Sequence, residues 1–388
     1  MKTIANLYDD VFIDELGKDA FSELLSVVKE NRDQYTEQGY VSQEAVDLMK
    51  QAGFFRAAVP RVFGGIAGNP KPFLLSIERL ASVDGSAGWV ASFGSSNYYL
   101  AALPAETQAL IYQSGPDQMF AGGLFPVQSA KREGNGYVIS GQWKFSSGCK
   151  TADWIGVGIV GKSSDGFNDM PRLAIMPAAD ADIVDNWDVM GMEGTGSHDI
   201  RVENTFVADN WTFLRGALPE IDEPLYRIPT VAFSGQVHTA VMLGLATAAI
   251  QELLSMCEGQ TTTGAPKLAD RAYFRIGLSR ATAQYLSARS YFYEVCARVW
   301  DEIEQGNEVS RELTNEIKLS SVHAADTCVD VVKRCYDLSG ISSIYHNRRL
   351  QKILRDVLVS GQHAHINESV YDGAGAIIAN VEPFKGYL

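Results

Sequence analysis

The chain reads as a multidomain α+β protein: an N-terminal α-helical domain, a central β-barrel or sandwich, and a C-terminal four-helix bundle. Three observations predict this. Apolar residues recur at helical spacing in the first region, the period falls to two in the middle, and long amphipathic stretches return towards the end. The 388 residues leave room for all three regions, with boundaries at 1–115, 116–218 and 219–388.

In the first region Phe12, Leu16, Phe21, Leu24, Leu25 and Val28 mark one helical face. Ser42 starts a second helix, with Glu44 in its first turn and Gly53 after its end. Stretches 72–83 and 88–103 read as the third and fourth helices, and Pro104 with Glu106 opens a fifth. Strands are expected at 136–141, 154–160, 172–176 and 200–207, each bounded by turn residues. The proline- and acid-rich piece 219–229 reads as the linker to the last region. There, helices are expected at 241–256, 269–304, 311–339 and 350–362, packed side by side as a bundle.

Composition narrows the function classes. With 46% apolar and 21% charged residues the chain can bury a sizeable core. A net charge of -14 argues against nucleic acid or an anionic membrane as partner, because both need a basic face. No apolar run is expected to reach the roughly 18 residues that span a bilayer. Residues 1–10 are polar, without the layout of a signal peptide. The five cysteines lack CxxC spacing and fit reduced thiols. The expectation is a cytoplasmic protein with no membrane partner.

The segment Gly141-Gln142-Trp143-Lys144-Phe145-Ser146-Ser147-Gly148-Cys149 puts an aromatic ring and two hydroxyls beside a glycine. A flat heterocycle needs that combination of π surface and short hydrogen-bonding groups. On spacing alone it is equally an ordinary strand end. The GxGxxG match from Gly156 to Gly161 is discounted, because its glycines lie inside an expected strand and a turn, 162–166, follows where a phosphate-binding helix should start. His363 and His365 are two residues apart, which on a helix would place them on different faces. No metal site is expected from them.

Several motifs set in this α–β–α order resemble the acyl-CoA dehydrogenase superfamily over nearly the whole chain. The stretch Phe54 to Gly65 is similar to the loop after that fold's second helix, and Asp84-Gly85-Ser86-Ala87-Gly88-Trp89 to the start of its inner helix. The most specific match is Gly191-Met192-Glu193-Gly194-Thr195-Gly196-Ser197-His198-Asp199. It resembles a turn of the two-component flavin-dependent monooxygenases, which use flavin reduced by another protein. Arg355-Asp356 with His363 resembles that branch's C-terminal helix and active-site histidine.

The resemblance implies a site. Ser147 would lie near flavin N5, with Ser146 beside it and Phe145 against the ring. Leu124 and Phe125 would meet the pyrimidine edge, and Thr195 and Ser197 would line the flavin or the substrate channel. His198 would hold its turn by hydrogen bonds. Arg275 would reach the flavin phosphates, and Gly340, Ser342 and Ser343 would touch the cofactor of a neighbouring subunit, which implies a homo-oligomer, a tetramer. The cofactor would be reduced FAD or FMN, supplied by a separate NAD(P)H:flavin reductase.

An acyl-CoA dehydrogenase would need a carboxylate base, and the usual position, eight residues after Asp356, holds Ala364. Asp372 or Glu368 would have to serve instead, and a dehydrogenase with such a displaced base is the alternative. The favoured reading is a monooxygenase in which a C4a-hydroperoxyflavin hydroxylates a small aromatic substrate with O₂. Ser147 and His363 would be its catalytic residues, His363 as base or hydrogen-bond donor. Phenol-hydroxylating members often carry a histidine in the fourth helix; here that region offers Phe93, Ser96, Tyr98 and Tyr99. This pocket suits a flat neutral ring, with indole or indole-3-acetate favoured.

Overall fold

The protein is described by a computed structural model for residue 4 and residues 7–8, 11–161, 171–257 and 266–388; the turn expected at 162–166 and most of 1–10 lie outside them. Local signals place most of the helices. Gly39, in the left-handed region at φ 76°, ends α1 (Lys18–Gln38). Ser42 Oγ accepts from Ala45 N–H and caps α2 (Gln43–Gln51). Leu16, expected on the first apolar face, instead lies in a short turn before α1 and is 91% exposed.

The third helix, α3, spans Lys71–Val83. The single helix expected at 88–103 is broken. Asp84 caps Ala87 N–H at 2.8 Å, so α4 starts early and spans Gly85–Ser92. The hydroxyls of Ser92 and Ser95 then bond back to carbonyls three residues behind, and a 3-10 turn at Phe93–Ser96 separates α4 from α5 (Asn97–Leu100). The last N-terminal helix, α6, is Ala105–Ile111.

The middle region is one seven-stranded sheet: β1 (Phe120–Glu133), β2 (Gly136–Trp143), β3 (Trp154–Gly161), β4 (Arg172–Pro177), β5 (Asp182–Val184), β6 (Asp199–Ala208) and β7 (Thr212–Leu214). Their order is β5-β6-β2-β1-β3-β4-β7, and β1 runs parallel to β3. The register of β1 slips between Gly123 and Gln128, which breaks the alternation that would have revealed this strand. The discounted GxGxxG lies within β3. A Cβ on Gly158 would sit 2.0 Å from the Leu124 carbonyl oxygen, so that glycine lets β1 approach rather than cradling phosphate.

The C-terminal bundle comprises α7 (Thr230–Ser255), α8 (Ala272–Glu304), α9 (Arg311–Ser339) and α10 (Arg349–Ser360), followed by an unanticipated α11 (Ser369–Ile378). Contrary to the sequence expectation, α7 is long and apolar enough to cross a bilayer by length and composition; 83% of its most apolar window is buried inside the fold. It packs between α3 and α9. A Cβ on Gly244 would lie 2.4 Å from the Glu78 carbonyl oxygen, so α3 and α7 touch backbone to backbone. Leu24 and Leu74 of the N-terminal helices share one apolar core with Val241, Phe292 and Val331 of the bundle. The sheet has its own core around Ile139, Trp143 and Val157. The expected linker 219–229 is anchored: Tyr226 donates to the Ala58 carbonyl, and Glu223 accepts from Arg61 N–H.

Candidate active site

Three hydroxyls and one indole form a chain where the sheet meets α4. Trp89 Nε1 donates to Ser147 Oγ at 3.2 Å, Ser147 Oγ lies 2.6 Å from Ser197 Oγ, and Ser197 Oγ lies 2.6 Å from Thr195 Oγ1. Thr195 Oγ1 closes the chain on the Met192 carbonyl at 2.8 Å. All four side chains are buried. Two backbone bonds align the segments: Ser146 N–H donates to the His198 carbonyl and Gly148 N–H to that of Thr195.

The turn that carries Thr195 and Ser197 is pinned from α10. Asp356, fully buried, accepts from Met192 N–H at 2.7 Å and pairs with Lys352 at 2.9 Å. Lys352 and Arg355 both reach Glu193. Burial works against the Lys352 ammonium, but Asp356, Asp84 and Glu193 outweigh it and hold it charged. The Arg-Asp pair therefore positions the turn. His198 stabilises its far side: its Nδ1 accepts from the N–H groups of Asn186 and Trp187, and burial lowers its pKa, so the ring acts as a neutral acceptor.

Phe145 is different. It adopts φ 63°, unusual for an aromatic residue, and is 67% exposed with only its edge against Trp187. Phe125 is exposed as well, and its carbonyl accepts from Lys144 N–H. Between these surfaces Ser146 Oγ is buried without a hydrogen-bond partner. The exposed Phe145 ring, an orphaned hydroxyl and the half-buried Leu124 are what a flat heterocycle with polar edges would complete. The residues present therefore fit a flavin ring.

His363 lies on the other side of Trp89. His363 and His365 both lie in the turn after α10, where helix-face spacing does not apply, and His238 of α7 completes a trio. The rings of His238 and His363 stand 4.6 Å and 5.7 Å from Trp89. His365 N–H donates to His363 Nδ1, so His363 carries its proton on Nε2 and directs it to His238 Nε2 at 3.1 Å. By the same network His238 carries its proton on Nδ1, which is buried and without a partner. His365 Nδ1 lies 2.8 Å from Ser234 Oγ. The rings stay neutral: burial first, then repulsion from the neighbouring rings, lowers His363 to about 3 and His238 well below its ordinary value. Burial and then Arg215 lower His365 to about 4. The three rings offer nitrogens within 4.8 Å of one another, a spacing that a cation could also use.

The remaining expected residues separate into two groups. Tyr99 packs against the cluster of Leu100, Leu103 and Phe120, and burial raises its pKa. The Tyr98 hydroxyl is committed to the carbonyls of Tyr226 and Ile228, and Phe93 packs against the helical core near the nearly buried Ser96. Arg275, Gly340, Ser342 and Ser343 lie at one end of the α8–α9 pair, without a contact to Ser147 or His363 in the single chain. There Arg275 donates to the Ala269 carbonyl, and Ile341, Ile344 and Tyr345 are exposed. Glu368 and Asp372, the alternative bases, are exposed around the start of α11. Sequence reasoning missed Trp89 as a bridge and missed His238, His365 and Ser234.

Residues 236–368, which hold the histidine trio, match the family model for the acyl-CoA dehydrogenase C-terminal domain. The chain is 44% identical to an indole-3-acetate monooxygenase of Pseudomonas putida over 372 residues, 95% of each chain. It is 40% identical to the protein of the same name from Acinetobacter baumannii, covering 92% of each. Its fold superimposes with a TM-score of 0.87 on XiaF from Streptomyces sp. in complex with FADH2 and glycerol, at 19% identity and covering 96% of this chain and 98% of that one.

Proposed function

Because this chain belongs to the two-component flavin monooxygenase branch of the acyl-CoA dehydrogenase superfamily, we propose that it inserts one oxygen atom from O₂ into indole-3-acetate. Reduced FAD or FMN would come from a separate NAD(P)H:flavin reductase. The observation that carries this reading is the Trp89 bridge, which joins the hydroxyl chain on the flavin-fitting side to a pair of neutral imidazoles. The high identity to two indole-3-acetate monooxygenases supports the substrate.

Bound reduced flavin supplies the electrons with which O₂ is activated. The residues around it hold protons and exclude water. Ser147 Oγ accepts from Trp89 and shares a proton with Ser197, so its orientation is fixed before any ligand arrives. His363 gives its Nε2–H to His238 Nε2, and His238 keeps an unused Nδ1–H. With both rings so far below their ordinary pKa, they serve at neutral pH as hydrogen-bond donors rather than as cations. Among the described residues no carboxylate is hydrogen-bonded into this cluster, and Glu368 and Asp372 face solvent, which leaves a dehydrogenase without a base in reach.

The reading extends to assembly and setting. The exposed Ile341, Ile344 and Tyr345 beside Gly340 are proposed to face a neighbouring subunit in a tetramer, with Arg275, Ser342 and Ser343 serving that subunit's flavin. Five free, buried cysteines suit a reducing cytoplasm. The test is direct. Protein supplied with a flavin reductase, NADH, FAD and ¹⁸O₂ should convert indole-3-acetate to a product carrying one ¹⁸O atom. Hydrogen peroxide as the sole oxygen product, with the acid unchanged, would refute the assignment.

A further inference from the structure

We propose that Arg215 anchors the carboxylate of the substrate, with the indole ring directed inward to Trp89, His238 and His363; this rests on the monooxygenase reading above. Arg215 follows β7, and its backbone N–H donates to the Pro171 carbonyl at 3.0 Å, which fixes its stem to the sheet. Its guanidinium lies over the Phe125 ring, 5.8 Å from the centroid, beside the surface that fits the flavin. Its charge is felt at Tyr99 and at His365. Ser234 lies 2.8 Å from His365, and Arg215 is itself exposed, so it stands at the outer end of the histidine side of the site.

Two facts single it out. In a chain of net charge -14 most arginines near the core have acidic partners, as Arg56, Arg289, Arg349 and Arg355 do, but no carboxylate among the described residues pairs with Arg215. The other cation felt by His365 is Lys318, which is buried and already donates to the Tyr387 carbonyl over the Tyr387 ring. The histidines are neutral, so among the described residues Arg215 is the one positive charge of this end with its fork unused. The site is then polarised: a cation outside, neutral rings and N–H donors inside. That polarity matches a flat aromatic ring bearing a short carboxylate, which the fork would grip through two charge-assisted hydrogen bonds.

The experiment measures binding apart from turnover. Protein loaded with reduced FAD is titrated anaerobically by calorimetry with indole-3-acetate and with neutral indole-3-acetamide, as wild type, R215K and R215Q. R215Q should weaken the acid by about 10- to 100-fold and the amide by less than about twofold, with R215K in between. In turnover the loss should fall on KM for the acid and leave kcat nearly unchanged. Equal weakening of both ligands, failure of wild type to prefer the acid, or a loss traced to weaker FAD binding would overturn the anchor. Charge-selective binding without oxygen insertion would uphold the anchor and refute the monooxygenase reading instead.

Discussion

Ser147 meets more partners than a strand-end serine needs. It accepts from Trp89 and is coupled to Ser197, and both partners are buried. Serine-to-alanine replacement there strands the indole N–H and shortens the hydroxyl chain. The S147A protein should lose about 1–3 kcal/mol, read as a shift in urea midpoint, because buried donors left unpaired are costly. It should also release several-fold more hydrogen peroxide per product formed. An unchanged product-to-peroxide ratio would remove Ser147 from the handling of oxygen. The contiguous Ser146-Ser147 and Thr195–Ser197 motifs were legible because the groups that act together are neighbours in sequence. His238 was not legible: it lies 125 residues from His363 on a helix buried all round, where nothing in the local pattern distinguishes a functional ring from a core one. Trp89 stood in a recognised motif, yet its role depends on Ser147, 58 residues away.

At the scale of elements, α10 holds the 191–199 turn through Asp356, which accepts from Met192 N–H, and through Lys352 and Arg355, which reach Glu193. Asp356→Ala leaves the Met192 N–H without its partner and the largely buried Lys352 ammonium with Glu193 alone. The expected cost is about 3–5 kcal/mol, measured by chemical denaturation. The double variant D356A/K352M should recover a substantial part of that loss, since the stranded charge goes with it; equal instability of single and double variants would show that the backbone contact matters more than the charge. The same scale explains where sequence reading of the fold ended. The helix that Ser42 opens was readable from its cap, because a cap is a local bond. β1 was not, since its slip between Gly123 and Gln128 mixes inward and outward residues. The break between α4 and α5 was missed because serine hydroxyls competing for carbonyls leave no apolar signature.

Over the whole molecule, the buried histidines link folding to pH. An unfolded histidine takes up a proton near 6.5, but the folded protein refuses it at His365 until about 4 and at His363 until about 3. Their folded values are depressed, so stability is intact above pH 6.5 and falls as the medium is acidified through that window. The slope should be roughly 1 kcal/mol per pH unit for each ring. Urea midpoints at pH 7.5 and 5.5 measure it, and H363Q should make the dependence shallower; an identical slope would mean that this ring charges freely in the fold. Replacing Ile341 and Ile344 together by aspartate should lower the particle mass seen by light scattering and weaken flavin binding, if a neighbouring subunit covers them. A different consequence follows from α7. As the chain leaves the ribosome this helix emerges before α9, which covers much of it, has been made. At about 5–20 residues per second, the delay between Ser255 and Ser339 lasts on the order of ten seconds. For that interval a segment of membrane-like composition is sheltered by α3, seated through Gly244, and by α4, but not by α9, and the nascent protein is a natural client for chaperones that recognise apolar helices.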